Sequence, residues 1–464
     1  MSKNTLFKLV ALLVAVSMLA SCAPAQTATN PAPQPTQPTV ATNTPQSVDP
    51  VEAWAQEIRS KLGGTEIKVA VASHPSTEAF KKMIPRFEEL TGIKVVFDIM
   101  EEGALSQKIL LDASAAQPSY DALMASGEGI APLAQFEYTT PIDDFINDKS
   151  KTPDWFDYED ILKAYREMDS YQGKHYAIPF AGETVFLFYR MDLFEKYGIK
   201  VPETFEEVLE TAKFFKDKEP GLSGISMRAR VGWELTYMWS VFINPFGGEI
   251  INPDTGEPGF DKQGTIDSLQ YMVDLLPYSP TGIESYSFPE AWDAFMLGKT
   301  AMMIEANAAA AEVENPEKSV VVGKTGFAPM PAGPAGAYSG VWGWGYSLVN
   351  KSTKHDAAWA FIMYLTSKAM QDEYIANGGI VSRTSYLSDP AKQAEFPYYK
   401  ATLETLDQAA DLLADGKSVF VQSIDWSQMS DIMGTEAGKA IVGQITAKEA
   451  CANIQVQLKE LLGK

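Results

Sequence analysis

The sequence predicts an α/β protein built mainly on parallel sheets. Short β-type runs alternate along the chain with segments whose apolar residues recur every three to four positions. Of the 464 residues, 45% are hydrophobic, which supports a sizeable core in about two or three domains. No internal repeat interrupts this alternation.

The elements follow in order. Residues 67–72 form a β-type run, and Phe80, Met83, Ile84, Phe87 and Leu90 then recur at helical spacing, with Pro85 a kink site and Gly92 the stop. Residues 93–99 read as the next strand, and 120–123 as another that ends in Ser126-Gly127-Glu128. Thr204 and Glu207 set up a capping box for a helix whose stripe is Phe205, Val208, Leu209, Ala212 and Phe215. Residues 300–304 form a buried strand, and 357–366 and 447–462 form helices, with Trp359 in the core.

Charge narrows the function. Lys and Arg total 38 against 60 Asp and Glu, a net charge of −22, and such a field repels nucleic acid and anionic lipid surfaces. Two cysteines, Cys22 and Cys451, cannot build a disulfide framework. His74, His175 and His355 are far apart in sequence and no metal-ligand motif is present, so neither a metal nor another cofactor is expected.

The first 21 residues place Lys3 and Lys8 before a short apolar run, as in a secretory signal. Leu19-Ala20-Ser21-Cys22 resembles a bacterial lipobox, which implies cleavage before Cys22 and a lipid on its sulfur. Residues 22–56 follow as a tether whose first part is rich in Pro, Thr and Gln, able to hold a body up to ~80 Å from its anchor at ~3.1 Å per residue. The body is expected from Glu57 onward.

Several segments in order resemble one family. They are Phe87-Glu88-Glu89-Leu90-Thr91-Gly92-Ile93-Lys94-Val95, Gly173-Lys174-His175-Tyr176-Ala177-Ile178-Pro179, Tyr189-Arg190-Met191-Asp192-Leu193-Phe194, Pro202-Glu203-Thr204-Phe205 and Gly298-Lys299-Thr300-Ala301-Met302-Met303. Together they resemble the extracellular solute-binding proteins (family 1) of bacterial carbohydrate ABC importers. Pro179 to Glu183, Met227-Arg228, Gly232-Trp233, Glu305-Ala306-Asn307, Trp342-Gly343-Trp344 and Ser382 to Tyr386 are similar to its sugar and sugar-alcohol members.

The resemblance implies a type II periplasmic-binding-protein-like fold, two α/β lobes joined by crossing strands with the ligand in the cleft. Crossings are expected near Phe180, Glu305 and Ser352. They give lobe one as 57–180 plus 306–352 and lobe two as 181–305 plus 353–464. The implied function is capture of a monosaccharide or sugar alcohol by hinge closure, in a monomer that hands it to membrane permease subunits, with an oligosaccharide as the alternative. A lipid-anchored glycoside-acting enzyme and a surface adhesin are the competing classes.

A neutral polyol must have its buried hydroxyls partnered and its C–H faces covered. The candidate residues are Ser73, His74, Glu128, Glu183, Arg228, Trp233, Glu305, Asn307, Trp342, Trp344 and Arg383. Ser73 and His74 end the first strand at the carboxyl edge, where α/β proteins bind ligands. Glu183 and Glu305 read either as hydroxyl acceptors or as structural partners of an arginine. Trp342 and Trp344 lie two apart in a strand and share a face, either core or cleft. Arg228 and Arg383 offer planar donor forks; Arg230 reads as solvated.

Overall fold

The computed structural model describes residues 49–414, 417–423 and 425–464. The expected signal segment, Cys22 and most of the expected tether lie outside the described residues. The end of that tether is instead part of the body. Asp49 accepts from the Val51 peptide N–H at 2.8 Å, and Pro50 opens a helix, Pro50–Leu62. Val51, Trp54 and Ala55 are buried, and the Trp54 ring stacks on Tyr364 at 6.0 Å.

Among the described residues ten strands run in chain order: β1 Glu66–Ala72, β2 Lys94–Met100, β3 Ala122–Ser126, β4 Ser170–Tyr171, β5 Lys174–His175, β6 Ile178–Arg190, β7 Ser223–Ser226, β8 Thr300–Ala306, β9 Thr325–Ala328 and β10 Val341–Leu348. β4 and β5 form a small hairpin. The others make one sheet in the order β2-β1-β3-β10-β6-β8-β7, with β9 beside β6. Pairing is parallel at the two ends, β2-β1-β3 and β8-β7. At the centre it is antiparallel, because β10 runs against both β3 and β6, and β6 runs against β8 and β9. The sheet is therefore mixed rather than mainly parallel.

β6 spans the two halves. Its residues 178–184 pair with β10, and residues 185–190 pair with β8 and β9. Phe180 lies on this strand. A second passage between the halves comes later in the chain. β9 still pairs with the outer half of β6, so the chain returns to the first half between Ala328 and Val341, not near Glu305. The third is also later than Ser352. The helix His355–Thr366 and the helix Gln371–Ala376 pack on the helix Pro75–Thr91 through Phe87 against Phe361 and Tyr364, and Phe80 stacked on Tyr374 at 4.6 Å. Only beyond them does the chain rejoin the second half, where Tyr398 meets Phe327 of β9.

Local signals account for the elements that frame these halves. The helix Pro75–Thr91 runs through Pro85 and ends at Gly92, whose φ of 70° lies in the left-handed region that glycine enters without a Cβ clash. The helix Phe205–Lys218 carries the expected capping box: Thr204 Oγ1 accepts from the Glu207 N–H at 3.3 Å and Glu207 Oε2 accepts from the Thr204 N–H at 3.1 Å. Trp359 is buried and donates to Thr152 Oγ1 at 3.1 Å.

Candidate ligand-binding site

A cavity of about 460 Å³ opens between the two halves. The first half supplies the carboxyl ends of its strands. His74 follows β1, Glu102 follows β2, Glu128 follows β3, and Trp342 and Trp344 come from β10. The second half supplies Arg228 just past β7, Trp233, Glu234 and Tyr237 from the helix Trp233–Ile243, and Trp426 from the helix Trp426–Ile441. Glu183 comes from the spanning strand β6, opposite Trp342 in register.

His74 caps a helix and serves the cavity with its two nitrogens. Nδ1 accepts from the Ser76 peptide N–H at 3.2 Å, which makes Nε2 the protonated nitrogen. Nε2–H donates to Glu183 Oε1 at 2.9 Å. The imidazole thus holds the Glu183 carboxylate as a neutral donor, and its ring lies 5.9 Å from that of Trp344.

Arg228 is the organising group of the other wall. Its Nη2 and Nε donate to Glu305 at 2.6 and 2.9 Å, its Nη1 donates to Glu234 at 3.2 Å, and its guanidinium lies 4.0 Å from the Tyr237 ring. Tyr237 in turn packs on Trp342 at 4.5 Å, while Trp233 meets Trp426 edge-on at 6.5 Å. Aromatic faces and hydrogen-bonding groups therefore both line the cavity, as a ligand with hydroxyls and C–H faces requires. Burial pushes the Glu102 carboxyl up to about 8, with Arg228 opposing and Glu183, Glu234 and Glu128 reinforcing the rise. Burial also raises Glu128 and Glu234.

Seven of the residues expected from sequence meet here: His74, Glu128, Glu183, Arg228, Trp233, Trp342 and Trp344. Four do not. Ser73 is exposed and does not line the cavity; its peptide N–H donates to Met100 O at 2.6 Å. Glu305 is fully buried behind Arg228, and its carboxylate is consumed by that guanidinium and by the Ala306 N–H at 2.8 Å. Of its two readings, structural partner is the one realised. Asn307 fastens β8 to β6, accepting from the Thr184 N–H and donating to Gly182 O, both at 3.2 Å.

Arg383 is the largest correction. It is 0% exposed and donates to three peptide carbonyls, Asp157 O at 2.6 Å, Thr366 O at 2.8 Å and Phe156 O at 3.0 Å. It ties its own loop to the 156–161 turn and does not line the cavity. Burial pushes it down to about 10, with Asp160 and Asp157 opposing. Arg230, expected in solvent, is half-exposed at the cavity rim and donates to Glu234 at 3.1 Å.

Sequence reasoning missed Glu102, Glu234, Tyr237 and Trp426. Glu102 had a signal, since it follows β2 at the same carboxyl edge that singled out His74. Glu234 and Tyr237 follow Trp233 on one short helix. Nothing local distinguishes Trp426. Among the described residues there is no group of His, Cys, Asp and Glu able to hold a metal, and no helix long and apolar enough to cross a membrane.

Two α/β halves spanned by a shared strand, with a small polar and aromatic cavity in the seam, define a receptor that encloses a small solute. The family model of bacterial extracellular solute-binding proteins matches residues 72–372, and the chain belongs to that family. It is 28% identical over 412 residues to the mannitol-binding protein of Pseudomonas aeruginosa, covering 85% of this chain and 92% of that one. The erythritol/L-threitol-binding protein of Mycolicibacterium smegmatis is 23% identical, with 81% and 83% covered. Among solved structures, an ABC transporter solute-binding protein of Agrobacterium radiobacter in complex with ribitol superposes with a TM-score of 0.79 at 25% identity, covering 86% of this chain and 99% of that one. One from Agrobacterium vitis with bound D-mannitol gives 0.77 at 27%, with 86% and 99% covered. These relatives are binding proteins, and the fold is the type II two-lobed architecture.

Proposed function

We propose that this chain captures a sugar alcohol or monosaccharide in the seam cavity and delivers it to the permease subunits of an ABC importer. The cavity itself carries the reading: acceptor carboxylates and tryptophan faces converge in about 460 Å³, a volume suited to a small polyol rather than a long oligosaccharide. The names of the mannitol- and erythritol-binding relatives agree with it. The hinge lies at β6, at 329–340 and between 376 and 398, and the receptor works as a single copy at the extracytoplasmic face. A lipid on Cys22 holds it there.

Calorimetry and thermal shift with mannitol, ribitol, erythritol and common hexoses test the capture. At a ligand concentration of 100 Kd the folded state should gain about 2.7 kcal/mol. Trp344→Ala should weaken the best ligand at least about tenfold through loss of a stacking face, with little change in melting temperature. No stabilisation by any polyol or monosaccharide at millimolar concentration would reject the proposal. The anchor is tested by Cys22→Ala, which should leave affinity intact and move the protein from the detergent phase to the aqueous phase. Retention in detergent would refute lipidation.

A further inference from the structure

The cavity holds more carboxyl groups than a neutral polyol calls for. Six line it, from Glu101, Glu102, Glu128, Glu183, Glu234 and Asp431, against two guanidiniums and no lysine. Both guanidiniums are already engaged: Arg228 by Glu305 and Glu234, Arg230 by Glu234. Glu183 is met by a neutral imidazole. Among the described residues, neither Glu102 nor Glu128 has a cation in salt-bridge range. Carboxylates held in a partly dry cleft without counter-charge are costly, and the cost is recovered only when a proton or a cation arrives.

A second feature is independent of charge. Tyr237 Oη, Trp292 Nε1 and Trp426 Nε1 are buried, belong to residues that line the cavity and have no partner among the described residues. Buried donors of this kind are normally satisfied, so they point to an oxygen-rich ligand. The rings of Trp233, Trp342, Trp344 and Trp426 add the negative faces that attract an ammonium group. Hydroxyl oxygens would answer the orphan donors, and a positive group would answer the carboxyl groups that have no cation beside them.

We infer, resting on the capture function proposed above, that the preferred solute is a polyhydroxylated cation, a sugar or sugar alcohol bearing a protonated amine. Glu102 and Glu128 receive the ammonium, and the tryptophan faces cover the carbon chain.

Calorimetry at pH 7 compares matched pairs: 1-amino-1-deoxy-D-sorbitol against D-sorbitol, the amino analogue of ribitol against ribitol, and D-glucosamine against D-glucose. In the best pair the amine should bind at least about tenfold more tightly at low salt, the equivalent of one charge-assisted hydrogen bond. That ratio should shrink in 0.5 M sodium chloride, and in Glu102→Gln or Glu128→Gln. Neutral parents that bind as tightly as their amines in every pair would overturn this inference and leave the capture function standing. So would an amine preference that both glutamine variants retain in full. Failure of every compound, amine or neutral, to bind would overturn the capture function along with it.

Discussion

Arg228→Ala should abolish ligand capture and cost about 3–5 kcal/mol of stability, the penalty for stranding a buried partner charge. Glu305 is fully buried, and without the guanidinium it keeps, among the described residues, the Ala306 N–H alone. Glu234 loses its partner at 3.2 Å and Tyr237 loses the cation 4.0 Å from its ring, so the second wall of the cavity relaxes as well. Urea unfolding and calorimetry check both effects. Lysine at 228 should not rescue binding, because a point charge cannot reproduce the fork on Glu305. The double replacement Arg228→Met with Glu305→Leu separates the two roles, since an apolar pair can replace a buried ion pair at little cost. It should recover most of the stability and none of the affinity. An Arg228→Ala protein within about 1 kcal/mol of wild type would refute the buried-pair account.

Arg383→Ala should do the reverse in part, destabilising by roughly 3–5 kcal/mol while leaving ligand affinity within about threefold for the protein that remains folded. Three carbonyls, of Phe156, Asp157 and Thr366, lose their donor in a buried site. Each unsatisfied acceptor costs about 1–3 kcal/mol. Relaxation of the 156–161 turn reduces the sum. Denaturation midpoints and a binding isotherm on the same preparation decide the matter. A large affinity loss without a stability loss would return Arg383 to the cleft.

The contrast between these two arginines shows how far a sequence carries a site. Both stood in segments similar to sugar-binding relatives, and both offered a donor fork. Their fates depend on which chain segments arrive beside them. Arg383 meets carbonyls more than 200 residues earlier in the chain, and no local pattern announces a free carbonyl. His74 was more legible, because the end of a strand at the carboxyl edge is a place as well as a residue. The same rule would have found Glu102.

The features legible from the residues alone are local and periodic. The helix Phe205–Lys218 with its capping box, the helix Ala447–Leu462, the strands β1, β2 and β8, and the stop at Gly92 follow from side-chain period and cap chemistry within a few residues. The order of motifs also sufficed for the family and hence for two lobes. Where the chain passes between them followed from the three-dimensional pairing, because β9 and β10 are separated by twelve residues yet pair with different ends of β6. The tertiary structure also decided which of two buried glutamates opens on the cavity. Glu183 and Glu305 lie on strands β6 and β8 that pair directly, but Glu305 is spent on Arg228, 77 positions away, while Glu183 opens on the cavity. Sheet order and the geometry of burial are long-range, and neither leaves a trace in the spacing of neighbouring residues.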